Sequence, residues 1–429
     1  MGSRNWLAFT IHSVGKPTFK CETMKRAVLL VLDGLGIGAM PDAAKTRPQE
    51  QNANTLGCIL KHRPHLHIPT LTRMGLMHCL NRVQDGAAEL LASWGWCELA
   101  YRGADSYLGH QEIMGVIPLD PQRTLLRDEI DGFEKILTAR GFQVTRPLAG
   151  KPLLCINDAI IVGDNLEADA GQNINLTVCT DRIEFGKAVE IGKIIRSAVR
   201  VARVIVFGGP GLTLQRILEH VEQRENGQVG VNSPAIGVYN EHLLVKHMGF
   251  GVDPQFQAAS IFSQAKKDVF LDGKMADLIE CEQAVKSPIV ETQALLDCVQ
   301  TQFRSLEDGL IAATVQETDL AAHGGEIDRF ADILELVDRF LCGFLPQMKK
   351  EDLLVITADH GNDPGLRTGL HTREATPLLV FSPQFRPTPL GKRKCLADSG
   401  ASLVQYFDLP PTQDGRSFIT DMNRGKNEI

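Results

Sequence analysis

Apolar positions along this chain fall into short unbroken runs. Residues 27–32 (AVLLVL) form the first, and runs at 310–315 (LIAATV), 353–357 (LLVIT) and 377–381 (PLLVF) repeat the pattern. A run apolar at every position predicts a strand buried on both faces, the habit of a parallel sheet covered by helices. Three of these runs lead into residues that can carry chemistry: Asp33, Asp319 and the pair Asp359-His360. In open α/β sheets ligands gather at the carboxyl ends of the strands. Between 327 and 344 the period changes. Ile327, Phe330, Ile333, Leu334, Val337, Phe340 and Leu341 lie on one stripe of a predicted helix.

The middle reads differently. From about 118 to 233 come a polar helix-like stretch, the segments ILTARGFQVT and CINDAIIVGD, a helix-like stretch at 184–200 and a strand candidate at 201–207. No residues there have the spacing of metal ligands. The expected fold is therefore α/β: a three-layer core with a mostly parallel sheet, split by an inserted α+β cap. Residues 24–117 and 234–425 form the discontinuous core, 118–233 the cap, and 1–23 an N-terminal extension.

Composition narrows the function. The 429 residues carry 45 Lys+Arg against 52 Asp+Glu, a net charge of −7, with 43% hydrophobic and 23% charged residues. This is the balance of a globular protein with a large core. A mildly acidic chain without long basic runs argues against nucleic acid or an anionic membrane as partner. No apolar run is long enough to span a bilayer. The ten cysteines are scattered and none forms Cys-x-x-Cys, which predicts reduced thiols in a cytoplasmic protein.

Four groups can carry chemistry: Asp33; Asp105-Ser106-x-x-Gly109-His110; Asp319-x-x-x-His323; and Asp359-His360-Gly361-Asn362 with His371 about a dozen residues later. Asp319 and His323 are four apart and share one face of a helical turn. Asp359 and His360 can both reach one ion from a bend at a strand end. Carboxylates mixed with imidazoles suit Mn²⁺ or Zn²⁺ better than Mg²⁺. Six such ligands are too many for one ion with an open position and enough for two. Two ions about 3.5–4 Å apart clamp an in-line phosphoryl displacement, and a hydroxyl beside them is an activated nucleophile. Ser106 is the candidate. The stretch Gly34-x-Gly36-x-Gly38 lacks the third glycine of a dinucleotide fingerprint, and Pro41 stands where its helix would run. Glycines that let the backbone pass close to a metal site are the better reading.

In order and wording these motifs resemble the alkaline-phosphatase-like metalloenzymes, and among them the phosphopentomutases. The likeness runs through VLDGLGIGAMPDA, NTLGCIL, IPTLTRMGL, DSYLGHQEIMG, ETDLAAHGGEIDRFADIL, ITADHGNDP, HTREATPLLVFS and LADSGASLVQYFDLP. It implies that Asp33, Asp359 and His360 bind one metal, with Ser106 bridging toward it. Asp319, His323 and His371 would bind the other. The family's metal is typically Mn²⁺. Ser106 would carry a phosphoryl group in the resting enzyme and exchange it with a small phosphorylated sugar, interconverting the 1- and 5-phosphates of ribose or deoxyribose through a bisphosphate.

The chain departs from the family in places. The nucleophile is Ser106 where Thr is usual, and Ala104 stands where Lys is expected. The stretch 203–216 (RVIVFGGPGLTLQR) replaces the arginine-containing segment that holds the distal phosphate, and Gln264 takes the place of the lysine of a later Gly-Lys segment. The motifs thus predict intact phosphotransfer machinery, acting on ribose or deoxyribose phosphate or on a related phosphosugar. The alternatives are a phosphatase or phosphodiesterase of the same superfamily, a dinucleotide-binding oxidoreductase built on GLGIG, and a catalytically silent metal-binding protein.

Overall fold

The computed structural model describes residues 24–83, 89–168, 170–238 and 242–424. The expected extension at 1–23 lies outside the described residues. An eight-stranded sheet runs in the order Val285–Ser287, Asp268–Gly273, Gly309–Val315, Arg26–Leu32, Asp352–Thr357, Thr376–Phe381, Ser93–Cys97 and Pro389–Arg393. The first five strands are parallel, and Thr376–Phe381 is antiparallel to both its neighbours. All four runs read from the sequence are strands of this sheet.

The three central parallel strands are buried along their whole length. Helices cover both faces. Thr55–His62, Pro69–Arg73, Thr292–Ser305 and the predicted helix Ile327–Phe344 pack together on one side. Ser106–Ile113, Ala258–Gln264 and Asp398–Tyr406 form the other layer. At the sheet's amino edge Arg26 is buried. Its Nε and Nη2 bond both oxygens of Asp352, and its Nη1 bonds the Phe303 carbonyl. That pair locks two adjacent strands in register at the edge opposite the chemistry.

A second, six-stranded sheet has the order Leu244–Gly249, Arg203–Gly209, Asn173–Cys179, Ile160–Asp164, Leu154–Ile156 and Val144–Thr145. Asn173–Cys179 and Arg203–Gly209 are parallel, joined by the helix Phe185–Ala198; the other pairs are antiparallel. The helices Leu126–Thr138 and Phe185–Ala198 bury Ile130, Phe133, Leu137, Ile191 and Ile195 against one face. This sheet runs past residue 233, where the sequence placed the end of the insertion, because Leu244–Gly249 (LVKHMG) pairs with Arg203–Gly209. It is a half-exposed edge strand with a lysine and a histidine inside it, so it lacks the apolar signature of the buried strands.

His247 lies on this edge strand with its Nδ1 buried and without a hydrogen-bond partner. Burial, and then the charge of Arg203, pull its pKa from 6.5 down to about 4. The folded form therefore binds fewer protons than the unfolded chain between these values. Its contribution to stability is complete above pH 6.5 and is lost as the pH falls toward 4, on the order of 3 kcal/mol. Urea midpoints compared at pH 7 and pH 4 should show a smaller acid loss in His247→Gln than in the wild type.

Candidate metal centre

The parallel strands deliver their side chains to one edge. Leu32 pairs with Val315, Val31 with Thr357 and Gly273 with Thr314. The residues that follow the strand ends are Asp33, Lys274, the helix Glu317–His323 with Asp319, and Asp359-His360. Ser106 opens the helix Ser106–Ile113, which Asp105 caps by accepting from the Leu108 amide at 3.0 Å. His371 returns on the loop before Thr376–Phe381.

The sequence-predicted residues converge, and they divide into two neighbouring groups. In the first, His360 Nε2 lies 3.2 Å from Asp359 Oδ2 and 3.7 Å from Asp33 Oδ1. Its Nδ1–H donates to the Gly361 carbonyl at 3.0 Å, which leaves Nε2 as a bare lone pair. The Ser106 hydroxyl, 2.8 Å away, donates to it. In the second, His323 Nε2 and His371 Nε2 are 3.0 Å apart and lie 3.3 and 3.4 Å from the two oxygens of Asp319. His323 Nδ1–H donates to the Gly369 carbonyl at 2.8 Å, so its Nε2 is bare as well. Asp33, Asp359 and His360 offer ligand atoms within 4.8 Å of one another, and so do Asp319, His360 and His371.

The electrostatics demand cations here. Asp33 and Asp359 are fully buried and Asp319 nearly so. Asp33 Oδ1 has no hydrogen-bond partner, Asp33 Oδ2 meets only Lys274 Nζ at 2.7 Å, and Asp359 Oδ2 meets only the imidazoles of His110 and His360. Buried carboxylates without partners are costly. Burial, and then the neighbouring charge of Asp359, push the Asp33 carboxyl up to about 7. Asp359 goes the other way. Burial works against its charge, but His360 and His110 hold it below the usual carboxylate range. The buried carboxylate oxygens, Asp33 Oδ1 among them without a partner, and the imidazole Nε2 atoms form a donor set that fits divalent ions.

The sequence missed one cation in the site. Lys274 Nζ stands 2.7 Å from Asp33, 3.0 Å from Asp319 and 3.2 Å from Ser106 Oγ. Burial opposes its charge, yet Asp33, Asp319 and Asp359 raise its pKa above the ordinary lysine value. A Gly-Lys pair, Gly273-Lys274, thus stands at the site itself. Gln264 ends the helix Ala258–Gln264, whereas Gly273-Lys274 ends a core strand. The run VFLDG before Lys274 carried the signal, interrupted by Asp272. His110 and Asn362 also take part. His110 Nδ1 lies 3.1 Å from Asp359 and 2.8 Å from the Ser106 carbonyl, and Asn362 Nδ2 donates to Asp319 at 2.8 Å.

The glycines of GLGIG serve close approach, as read from the sequence. A Cβ on Gly36 would lie 2.3 Å from the Glu374 carboxylate, and Gly34 has φ +73° beside Asp319 and Asn362. Only the four-residue helix Ala43–Thr46 follows, so nothing there resembles a dinucleotide turn.

Residues 25–411 match the Metalloenzyme superfamily. The chain belongs to this superfamily. Its similarity to curated members spans nearly the full chain. A phosphopentomutase of Lachnoclostridium phytofermentans is 28% identical over 416 residues, covering 93% of this chain and 99% of the relative. Another, of Dictyoglomus thermophilum, is 28% identical over 94% of this chain and 100% of the relative. Among solved structures, a Leishmania mexicana phosphoglycerate mutase aligns over 93% of this chain and 98% of its own, at 11% identity and TM-score 0.47. This metalloenzyme is a metal-dependent phosphotransferase of the isomerase type.

Gly109 tests how closely the helix opened by Ser106 must approach Asp359. A Cβ there would sit 2.6 Å from the Asp359 carbonyl and 2.8 Å from its Cβ. Gly109→Ala should cost about 1–3 kcal/mol in thermal unfolding. It should also lower the turnover number about 100-fold, because the helix carrying Ser106 must move away from Asp359.

Proposed function

We propose that this enzyme is a phosphopentomutase, moving a phosphoryl group between the 1- and 5-positions of ribose or deoxyribose phosphate by way of phospho-Ser106. The observation that carries the reading is the setting of the Ser106 hydroxyl. It lies 2.8 Å from His360 Nε2 and 3.2 Å from Lys274 Nζ, at the start of a helix beside three buried carboxylates. Full-length likeness to phosphopentomutases supports it.

In this reading Asp33, Asp359 and His360, with Ser106 alongside, hold one divalent ion, and Asp319, His323 and His371 hold a second; Mn²⁺ suits the mixed donor set. When bound, such ions neutralise charge on the phosphoryl oxygens and favour the ionised hydroxyl. The protein's own groups do the rest. With His360 Nε2 committed to an ion, the Ser106 hydroxyl would lose its proton to solvent rather than to that nitrogen, and the oxygen's lone pairs would face Lys274 and the incoming phosphorus. Lys274 places an ammonium beside the charge that develops there.

The second sheet lies against the nucleophile's helix. Arg203 Nη2 is 3.5 Å from Asp105, and the Gly249 amide donates to Tyr107 Oη at 2.8 Å. A cap at this place keeps water from phospho-Ser106 while the bisphosphate turns over. The nine described cysteines are all free thiols, in keeping with a cytoplasmic enzyme. Among the described residues no helix is long and apolar enough to cross a membrane.

The test is an assay with Mn²⁺ that follows both isomerised pentose phosphate and released inorganic phosphate. Isomerisation with little phosphate release is expected; phosphate release alone would identify a hydrolase instead. Ser106→Ala should lose at least about 1,000-fold in rate while still binding metal. Full mutase activity in that variant would refute the covalent route.

A further inference from the structure

Arg373 joins the His371 loop to the loop that delivers the nucleophile. It is 5% exposed, and each N–H of its guanidinium has an acceptor. Nη1 donates to the carbonyls of Tyr101 at 2.7 Å and Gly103 at 2.9 Å, and Nη2 donates to that of Leu99 at 3.0 Å. Nε takes Asp42 at 3.0 Å, and Nη2 lies 3.0 Å from the same carboxylate. One side chain thus gathers three carbonyls from residues 99–103, a stretch without regular structure.

That stretch leads directly to the nucleophile. The Tyr101 hydroxyl donates to the Asp359 carbonyl at 3.0 Å and accepts from the Asp105 amide at 3.3 Å. Asp105 caps the helix that Ser106 opens. The Ala100 and Tyr101 amides are held from the other side by the buried Glu112 carboxylate, at 3.1 and 2.9 Å. Arg373 stands two residues beyond His371 and touches none of the groups that would react.

We propose that Arg373 is a positioning residue for catalysis, setting the place of Ser106 relative to His371 and Asp359 by clamping residues 99–103. This rests on the reading of Ser106 as nucleophile. A guanidinium is needed because three carbonyls and a carboxylate must be met in one plane; an ammonium has three donors on a point charge. Arg373→Lys is therefore not conservative. Loosening the clamp shifts the nucleophile, and a misplacement near 1 Å costs about 100-fold in rate.

Three measurements test it. First, kcat should fall about 100-fold in Arg373→Lys and Arg373→Ala while KM for the sugar phosphate stays within about threefold, and added guanidinium should restore part of the Arg373→Ala rate. Second, in metal-free protein without substrate, amide hydrogen exchange at residues 99–105 should quicken in both variants. Third, Arg26→Lys removes another fully bonded buried guanidinium, at the far edge of the sheet. It should lower the unfolding temperature and leave kcat unchanged. An unchanged kcat in folded Arg373→Ala, unchanged exchange at 99–105, or an equal loss of kcat in Arg26→Lys would each overturn the proposal. A wild type that isomerises no pentose phosphate would count against the proposed function, whereas the exchange measurement tests the clamp by itself.

Discussion

Mutual repulsion among Asp33, Asp319 and Asp359 is the constraint around which the molecule is arranged. Three carboxylates buried at one sheet edge are unfavourable unless positive charge meets them. Lys274 supplies one cation, with its ammonium against Asp33 and Asp319. The remaining demand falls on the carboxylate oxygens, Asp33 Oδ1 among them without a partner, and on imidazoles whose Nδ1 atoms are tied to backbone carbonyls, so that Nε2 points inward. Such tethering fixes ring orientation before any ion arrives. The parallel strands matter because their register brings these groups to one level. Residues far apart in sequence meet only because Leu32, Val315 and Thr357 end together.

Close approach is the second requirement. Helix Ser106–Ile113 touches Asp359 through Gly109, and the turn after the first strand touches Glu374 through Gly36. Glu374 is itself buried and accepts from the Gly38 and Thr55 amides and from the Thr55 and Thr372 hydroxyls. Burial raises its pKa, partly offset by those bonds. The same carboxylate thus holds the glycine turn, the start of helix Thr55–His62 and the loop carrying His371.

The sequence disclosed the core because its apolar runs are strands buried at every position but Phe381, and burial on both faces leaves no room for polar interruption. The i, i+4 spacing of Asp319 and His323 likewise translated directly into one helical face. Three things were less legible, each for a physical reason. Lys274 follows a strand with Asp272 inside it, so no clean apolar run announced it. The edge strand Leu244–Gly249 is amphipathic and solvent-facing, so the second sheet looked shorter than it is. Arg373 sits in a visible motif, but its acceptors are backbone carbonyls, and backbone carbonyls leave no trace in residue identity.

The way the second sheet meets the core bears on how such an enzyme can both open and close. Its links near Ser106 are small and polar: Arg203 to Asp105, Gly249 to the Tyr107 hydroxyl, and Lys246 to Glu280 at 2.9 Å. The apolar clusters of the two sheets are separate. Partly exposed ion pairs are worth little each, and one hydrogen bond about 1 kcal/mol net. Contacts of this kind hold the sheet beside Ser106 without a shared apolar core. A mutase of the proposed type needs that balance, because its bisphosphate must turn under cover and its products must leave. The clamp on residues 99–103 lies wholly within the core. The position of Ser106 is therefore set from within the core, and the second sheet reaches its helix through those contacts.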